Sequence, residues 1–367
     1  MSGLRIAIFG SSLVSTYWNG AATYYRGIVR ALSERGHQVS FYEPDALDRQ
    51  QHRDLGRVEW ARSVVYPATA AGVLAALDDA RHADLIIKAS GVGVFDDVLD
   101  AGVVALQGPG RAVAYWDVDA PATLARLRSQ RDDPLSGLIP NFDLVLTYGG
   151  GEPVVQEYLR IGARECTPVY NAVDPRTHHP VESQPRFAAT LSFLGNRLPD
   201  REARCREFFF RPAGHLPQET FMLGGSGWDS DPCLPNVRVL GHVASAEHNA
   251  FYCSPRAVIN ITRDDMAMIG WSPATRVFEA AGAGACLITD AWPGIEDFLE
   301  PDTEILVAHD GAGVAEILAG LSRRRAADIG RAALRRVLAE HTYRHRAEQL
   351  EDLFGVGLHG QRRAVSS

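Results

Sequence analysis

The chain has little cysteine and no cysteine pattern. Its five cysteines, Cys166, Cys205, Cys233, Cys253 and Cys286, are odd in number, scattered over 367 residues, and never spaced as CxxC. Neither a disulfide framework nor a zinc site is therefore indicated. His178 and His179 are adjacent, so their side chains diverge, and His341 and His345 sit at i,i+4 without the HExxH pattern; neither pair reads as a metal site. No run approaches the roughly 18 apolar residues of a membrane span. Met1 leads into a strand pattern without a basic, then apolar, then small-residue leader, which predicts a cytoplasmic protein. A positive charge balance is also missing. The formal net charge of −8 and pI near 5.8 argue against a nucleic-acid groove, and the basic run at 323–325 reads as a solvated helix face. The first strand is not followed by GxGxxG, which argues against a dehydrogenase. No DxD-like carboxylate pair occurs where a metal-bridged diphosphate would want one, since Asp264 and Asp265 are adjacent.

What is present is the ordinary balance of a soluble globular chain, 46% hydrophobic and 22% charged. Its length predicts two domains. Residues 5–10 form a buried-strand pattern, followed by a polar loop over 11–20, a helix over about 21–35 closed by Gly36, and a strand over 38–42. By the handedness rule this unit starts a parallel sheet. Further strands are predicted at 84–88, 103–106, 112–115 and 143–147, with helices at 70–80 and 120–127, so the first half reads as α/β. Ligands in such sheets bind at the carboxyl ends of strands. After Tyr115, Asp117 and Asp119 occupy alternate positions ahead of a helix. Asp119 is placed to N-cap that helix. Asp117 has no such duty in the sequence and is a candidate general base or acceptor for a hydroxyl. The three glycines Gly149–Gly151 fit either a close approach to a ligand or a tight connection.

Residues 168–174 change character and open a polar, proline-rich linker, which sets the predicted boundaries at 1–170, 171–345 and 346–367. The second half repeats the strand pattern at 189–194, 221–223, 237–240, 257–261, 286–289 and 304–307. Helices are predicted at 247–253, 275–283, 310–321 and 326–345, and the tail from 355 reads as loosely ordered. The segment 258–290 carries the most information. It runs strand, polar loop 262–270, helix and strand, with Ser272 read as N-cap and Pro273 in the first turn. Such a helix start presents unpaired N–H groups that suit a phosphate. Thr275, Arg276 and Glu279 share roughly one face. On spacing alone the stretch equally fits an ordinary βαβ unit with a solvated Glu/Arg pair.

The residues TRDDM…GWSPATRVFEAAGAGACLITD…GIEDFLEPDTEILV, spanning 262–307, resemble the donor half of GT-B glycosyltransferases, specifically the bacterial group related to the spore-maturation protein CgeB. The resemblance extends unevenly over most of the chain. It implies two Rossmann-like domains with mainly parallel sheets facing a central cleft. It also implies transfer of a sugar from a nucleotide-diphosphate sugar, of UDP or dTDP type, to an unidentified small-molecule or glycan acceptor. No cofactor or metal is implied, and configuration is kept. Glu279 is carried over as the ribose ligand. Gly195, Arg197, Arg263, Ser272, Thr275 and Arg276 are carried over toward the diphosphate, and Gly225, Ser226 and His242 toward the base and ribose. On the acceptor side Ser12, Trp18, Asn19 and Gly20 stand in the family's loop, with Ala21 or Ala22 where a histidine is expected. The segment around Asp117 and Asp119 resembles the family's YDIDTP, which makes both candidate catalytic residues. Two rival readings stay open: a GT-B enzyme that epimerises or hydrolyses the nucleotide sugar, and a non-catalytic nucleotide-sugar-binding protein.

Overall fold

The computed structural model describes residues 3–17, 19–130, 132–228 and 234–365. The chain divides into two compact units, one of Met1–Tyr170 with Tyr343–Ser367 and one of Asn171–Thr342. Each is built on one fully parallel sheet with helical crossovers, the α/β, two-sheet architecture the sequence implies.

The first unit contains β1 (Arg5–Phe9), β2 (Gln38–Asp45), β3 (Arg62–Pro67), β4 (Leu85–Ala89), β5 (Ala112–Asp117), β6 (Leu144–Thr147) and β7 (Cys166–Pro168). Their order across the sheet is β3-β2-β1-β4-β5-β6-β7. Ile8 of β1 pairs with Phe41 on one side and Ile87 on the other, and all three are buried. The order reverses between β1 and β4, so the loops after these strands flank a topological switch point. The sequence missed β3, whose RSVVYP run is half exposed and carries a terminal arginine. It also read residues 103–106 as a strand. Val103 instead lies in the last turn of the helix Asp96–Ala105, where Leu99 and Val103 at i,i+4 face inward together.

The helix Tyr343–Val365 belongs to this first unit, and it extends to Val365 within the stretch from 355 expected to be a loose tail. It lies against the helix Ala22–Glu34, where a Cβ on Gly27 would stand 2.2 Å from the Tyr343 ring. Arg35 pairs with Glu348 and Glu351 at 2.8 and 2.6 Å, and Glu351 also meets His37 at 2.9 Å. The predicted helix over 326–345 is thus two helices, Arg323–Glu340 and Tyr343–Val365, separated at His341 and Thr342.

The second unit contains β8 (Leu191–Leu194), β9 (Phe221–Gly224), β10 (Val237–Gly241), β11 (Ala257–Asn260), β12 (Leu287–Asp290) and β13 (Leu306–Ala308), ordered β10-β9-β8-β11-β12-β13. The order here reverses between β8 and β11, which are paired through Ala257 and Leu191. Phe193, Phe209, Phe221, Trp228, Ile259 and Ile288 form part of its fully buried core. The expected polar loop 262–270 contains a helix, Asp264–Ile269, closed by Gly270 at φ 79°. Among the described residues no helix is long and apolar enough to cross a membrane.

Candidate functional site

The switch point of the second sheet lies where β8 and β11 end, and the sequence placed glycine at the first of these ends. A Cβ on Gly195 would fall 2.8 Å from Arg276 Nη2, 2.9 Å from Phe193 Cζ and 3.0 Å from Arg201 Nη2. Glycine therefore lets two guanidiniums close on the backbone at one spot. Both also lie over the Phe193 ring, Arg276 at 4.8 Å and Arg201 at 5.4 Å from its centroid.

These two arginines differ from their neighbours in what balances their charge. Arg276 donates from Nε to Leu194 O at 2.5 Å and from Nη1 to Asn260 Oδ1 at 2.8 Å. Arg201, 8% exposed, donates from Nη2 to Asn196 O at 2.5 Å, and its Nε has no partner. All of these acceptors are neutral, and the ion pairs among the described residues take in neither arginine. Burial, followed by repulsion from Arg276, pulls the Arg201 guanidinium down to about 10. By contrast, Arg197 pairs with Glu202 at 2.8 Å, Arg204 with Asp290 at 2.5 Å, and Arg263 with Asp200. Hydrogen bonds from Arg197 and Arg206 hold the Glu202 carboxyl down to about 2. Two close cations lacking a carboxylate make an anion site in electrostatic terms.

A second glycine turn braces the first. Gly225 sits at φ 122°, and a Cβ there would strike Gly195 O at 2.2 Å. Gly195 N donates to Gly224 O, Arg197 N to Ser226 O, Ser226 N to Asn196 Oδ1, and Trp228 Nε1 to Gly195 O, all at 2.8–3.0 Å. Ser226 and His242 are exposed on the turns after β9 and β10.

The helix Thr275–Gly282 starts beside this turn pair. Its N-cap is Ala274, with no side-chain cap. Ser272 is two residues too early to cap, and its buried hydroxyl donates to Gly270 O at 2.9 Å instead. Thr275 opens the helix, Arg276 follows, and Glu279 comes one turn on. Glu279 accepts from Tyr252 OH at 3.2 Å, and His178 Nε2 stands 4.0 Å from its other oxygen.

In the first unit the predicted residues are largely committed to the fold. Asp117 is fully buried at the end of β5. Its Oδ1 accepts from Ser90 Oγ at 2.8 Å and from Asp119 N and Thr123 Oγ1 at 3.0 Å, and its Oδ2 accepts from Tyr158 OH. Burial raises its carboxyl above the usual range despite those donors. The sequence reading that left Asp117 without a structural duty is corrected by this network, which ties β4, β5 and two helices together. Asp119 occupies the N-cap position of the helix Ala120–Ser129, yet its side chain makes no cap hydrogen bond. Ser12 and Asn19 are buried and spent within their own loop: Asn19 Nδ2 donates to Ser12 O and Ser15 O, and Ser12 Oγ accepts from Ser15 N. Gly20 is exposed, and a Cβ on it would meet nothing within 4 Å. Trp18 lies outside the described residues.

Sequence reasoning missed Arg201. It is one of three arginines among three acids in the run PDREARCREF, where no spacing marks which one turns inward. It also missed His178 and His248, which the fold brings to Glu279 from distant segments.

Residues 201–352 match the glycosyl transferase-like family. No curated protein matches the chain at a significant level. Among solved structures, the fold is similar to sucrose-phosphate synthase from Thermosynechococcus elongatus (TM-score 0.69, 14% identity, 99% of this chain and 100% of that one). It is similar also to Anabaena HepE in complex with UDP and glucose (TM-score 0.66, 13% identity, 96% and 100%). A third is an alpha-glucosyltransferase in complex with UDP-glucose and DNA containing an abasic site (TM-score 0.67, 12% identity, 97% and 100%). The chain thus has the GT-B glycosyltransferase fold.

Proposed function

We propose that this protein is a glycosyltransferase that moves a sugar from a nucleotide-diphosphate sugar, of UDP or dTDP type, to an acceptor hydroxyl. The observation that carries the reading is the convergence of Arg201 and Arg276 on Gly195 without a carboxylate, with Glu279 one turn along the same helix as Arg276. Solved proteins of the same fold hold UDP and UDP-glucose.

The unit Asn171–Thr342 holds the donor. Its diphosphate lies against Gly195, Arg201, Arg276 and the N–H groups at Thr275, and Glu279 accepts from the ribose hydroxyls. The first unit receives the acceptor. In the reaction the acceptor oxygen bonds to the anomeric carbon, the bond from that carbon to the diphosphate oxygen breaks, and the acceptor proton is released. Negative charge grows on the leaving diphosphate, where the two uncompensated guanidiniums stabilise it in place of a metal. Configuration is kept, by resemblance to retaining relatives. Asp117 acts as a positioning residue that fixes the loop after β5, and Asp119 is the carboxylate that this loop presents. The CgeB-like grouping, a bacterial source and a cytoplasmic location complete the reading.

A melting screen of the wild type and Glu279→Ala against UDP, GDP, ADP, CMP and dTDP tests it. Ligand at about a hundred times its Kd adds roughly 2.7 kcal/mol of apparent stability. One nucleotide is expected to raise the wild-type Tm and not that of the variant. A screen in which no nucleotide shifts the wild type removes the reading.

A further inference from the structure

His178, His248 and Glu279 come from three separate segments: the stretch after Asn171, the helix His248–Cys253 and the helix Thr275–Gly282. Each offers one ligand atom within 4.8 Å of the other two. His178 is buried, and the other two are half-buried. A tetrahedral zinc with bonds of about 2.0–2.1 Å holds its ligand atoms roughly 3.3 Å apart, so these atoms need close on one another by at most about 1.5 Å.

The partners of the two imidazoles are a second, independent observation. His178 Nδ1 is 3.0 Å from Thr177 Oγ1, which leaves Nε2 directed at Glu279 Oε1, 4.0 Å away. His248 Nε2 lies 3.3 Å from Val243 O, an acceptor only, so this nitrogen carries the proton and Nδ1 keeps its lone pair. One ring nitrogen anchored to a protein oxygen and the other left open is how metal-binding histidines are oriented. Tyr252 OH holds Glu279 Oε2 at 3.2 Å, so the carboxylate is oriented as well.

We propose that His178, His248 and Glu279 form a binding site for a divalent transition metal of the zinc class, and that an ion there competes with nucleotide for Glu279. Two imidazoles and one carboxylate select zinc, cobalt or nickel over calcium or magnesium, and three protein ligands leave a coordination position open. The competition clause rests on the nucleotide reading above; the metal site does not. The adjacency of His178 and His179 hid this from the sequence, because only His178 turns inward while His179 is exposed.

The probe is Co2+ added to the full-length protein, followed by its visible ligand-field bands and by calorimetry, with and without UDP. One Co2+ per chain is expected, with binding at least about ten-fold weaker in His178→Ala and in His248→Gln, since even outer-shell losses cost that much. His309→Ala, an exposed control, should bind as wild type does. Wild-type protein that gives no stoichiometric Co2+ bands overturns the site, as does equal binding by two variants whose circular dichroism matches the wild type. The second reading is separable. Co2+ binding without any UDP response keeps the metal site and removes the nucleotide role of Glu279; UDP binding without Co2+ binding does the reverse; binding of both without competition overturns the shared use of Glu279.

Discussion

Replacing Arg201 by methionine should make the unliganded protein more stable and leave it unable to respond to a nucleoside diphosphate. The guanidinium is buried, and it is held near 10 by burial and by Arg276. At about 1.4 kcal/mol per pKa unit, that depression corresponds to roughly 3.5 kcal/mol of penalty for keeping the charge at neutral pH. Against it stand the hydrogen bond to Asn196 O, about 1.5–2 kcal/mol for a charged donor, and the contact with Phe193, about 0.5–1 kcal/mol. The net expectation for Arg201→Met is a gain of about 0.5–1.5 kcal/mol, or about 1–6 °C in Tm for a unit of this size. The assay is differential scanning fluorimetry with and without saturating UDP. The wild type should rise with UDP, and the variant should start at or above the wild type and stay there. A variant that melts well below the wild type yet keeps the full UDP shift would refute the idea that Arg201 is a strained cation waiting for an anion.

The supporting turn, by contrast, should not tolerate a side chain. Gly225→Ala forces a side chain into a φ of 122° and against Gly195 O, and should cost about 1–3 kcal/mol or more while weakening UDP binding; a wild-type urea midpoint would contradict the clash. Asp117→Ala strands four donors in a buried network and should cost about 3–5 kcal/mol in urea unfolding, whereas Asp119→Ala should be near neutral in stability. The Glu202 carboxyl is depressed to about 2, so its contribution is present above the usual glutamate pKa near 4.5 and disappears as pH falls toward 2. The Tm difference between wild type and Glu202→Gln should therefore close between these values, and a constant difference would show that the pairs with Arg197 and Arg206 contribute nothing.

Most strands were legible because buried parallel strands are short apolar runs, as in DLIIK, DLVLT and AVIN. The same signal failed where its physical basis is weak. The edge strand β3 buries little, and Val103-Val104 look β-branched while the i,i+4 relation of Val103 to Leu99 serves a helix. Glycines at strand ends were legible as tight turns, and Gly195 and Gly225 are required there by close approach and, at Gly225, by φ. Of the two arginines that close on Gly195, Arg276 was singled out from the sequence and Arg201 was not. Arg197 and Arg263 look suitable by position, but Glu202 and Asp200 neutralise them, and that pairing depends on where the helix Pro199–Cys205 packs. The triad of His178, His248 and Glu279 joins residues separated by up to 101 positions, a relation that only tertiary structure supplies.

Whether the turn at Gly195 binds a diphosphate is decided by calorimetric titration of UDP and of uridine into the wild type and into Arg276→Gln. The wild type should bind UDP at least about ten-fold more tightly than uridine, and Arg276→Gln should lose most of this difference while leaving uridine binding unchanged, as expected for a charge-assisted contact of about 1.5–3 kcal/mol. Equal affinity of the wild type for UDP and uridine, or an undiminished preference in Arg276→Gln, would contradict a diphosphate site at this turn.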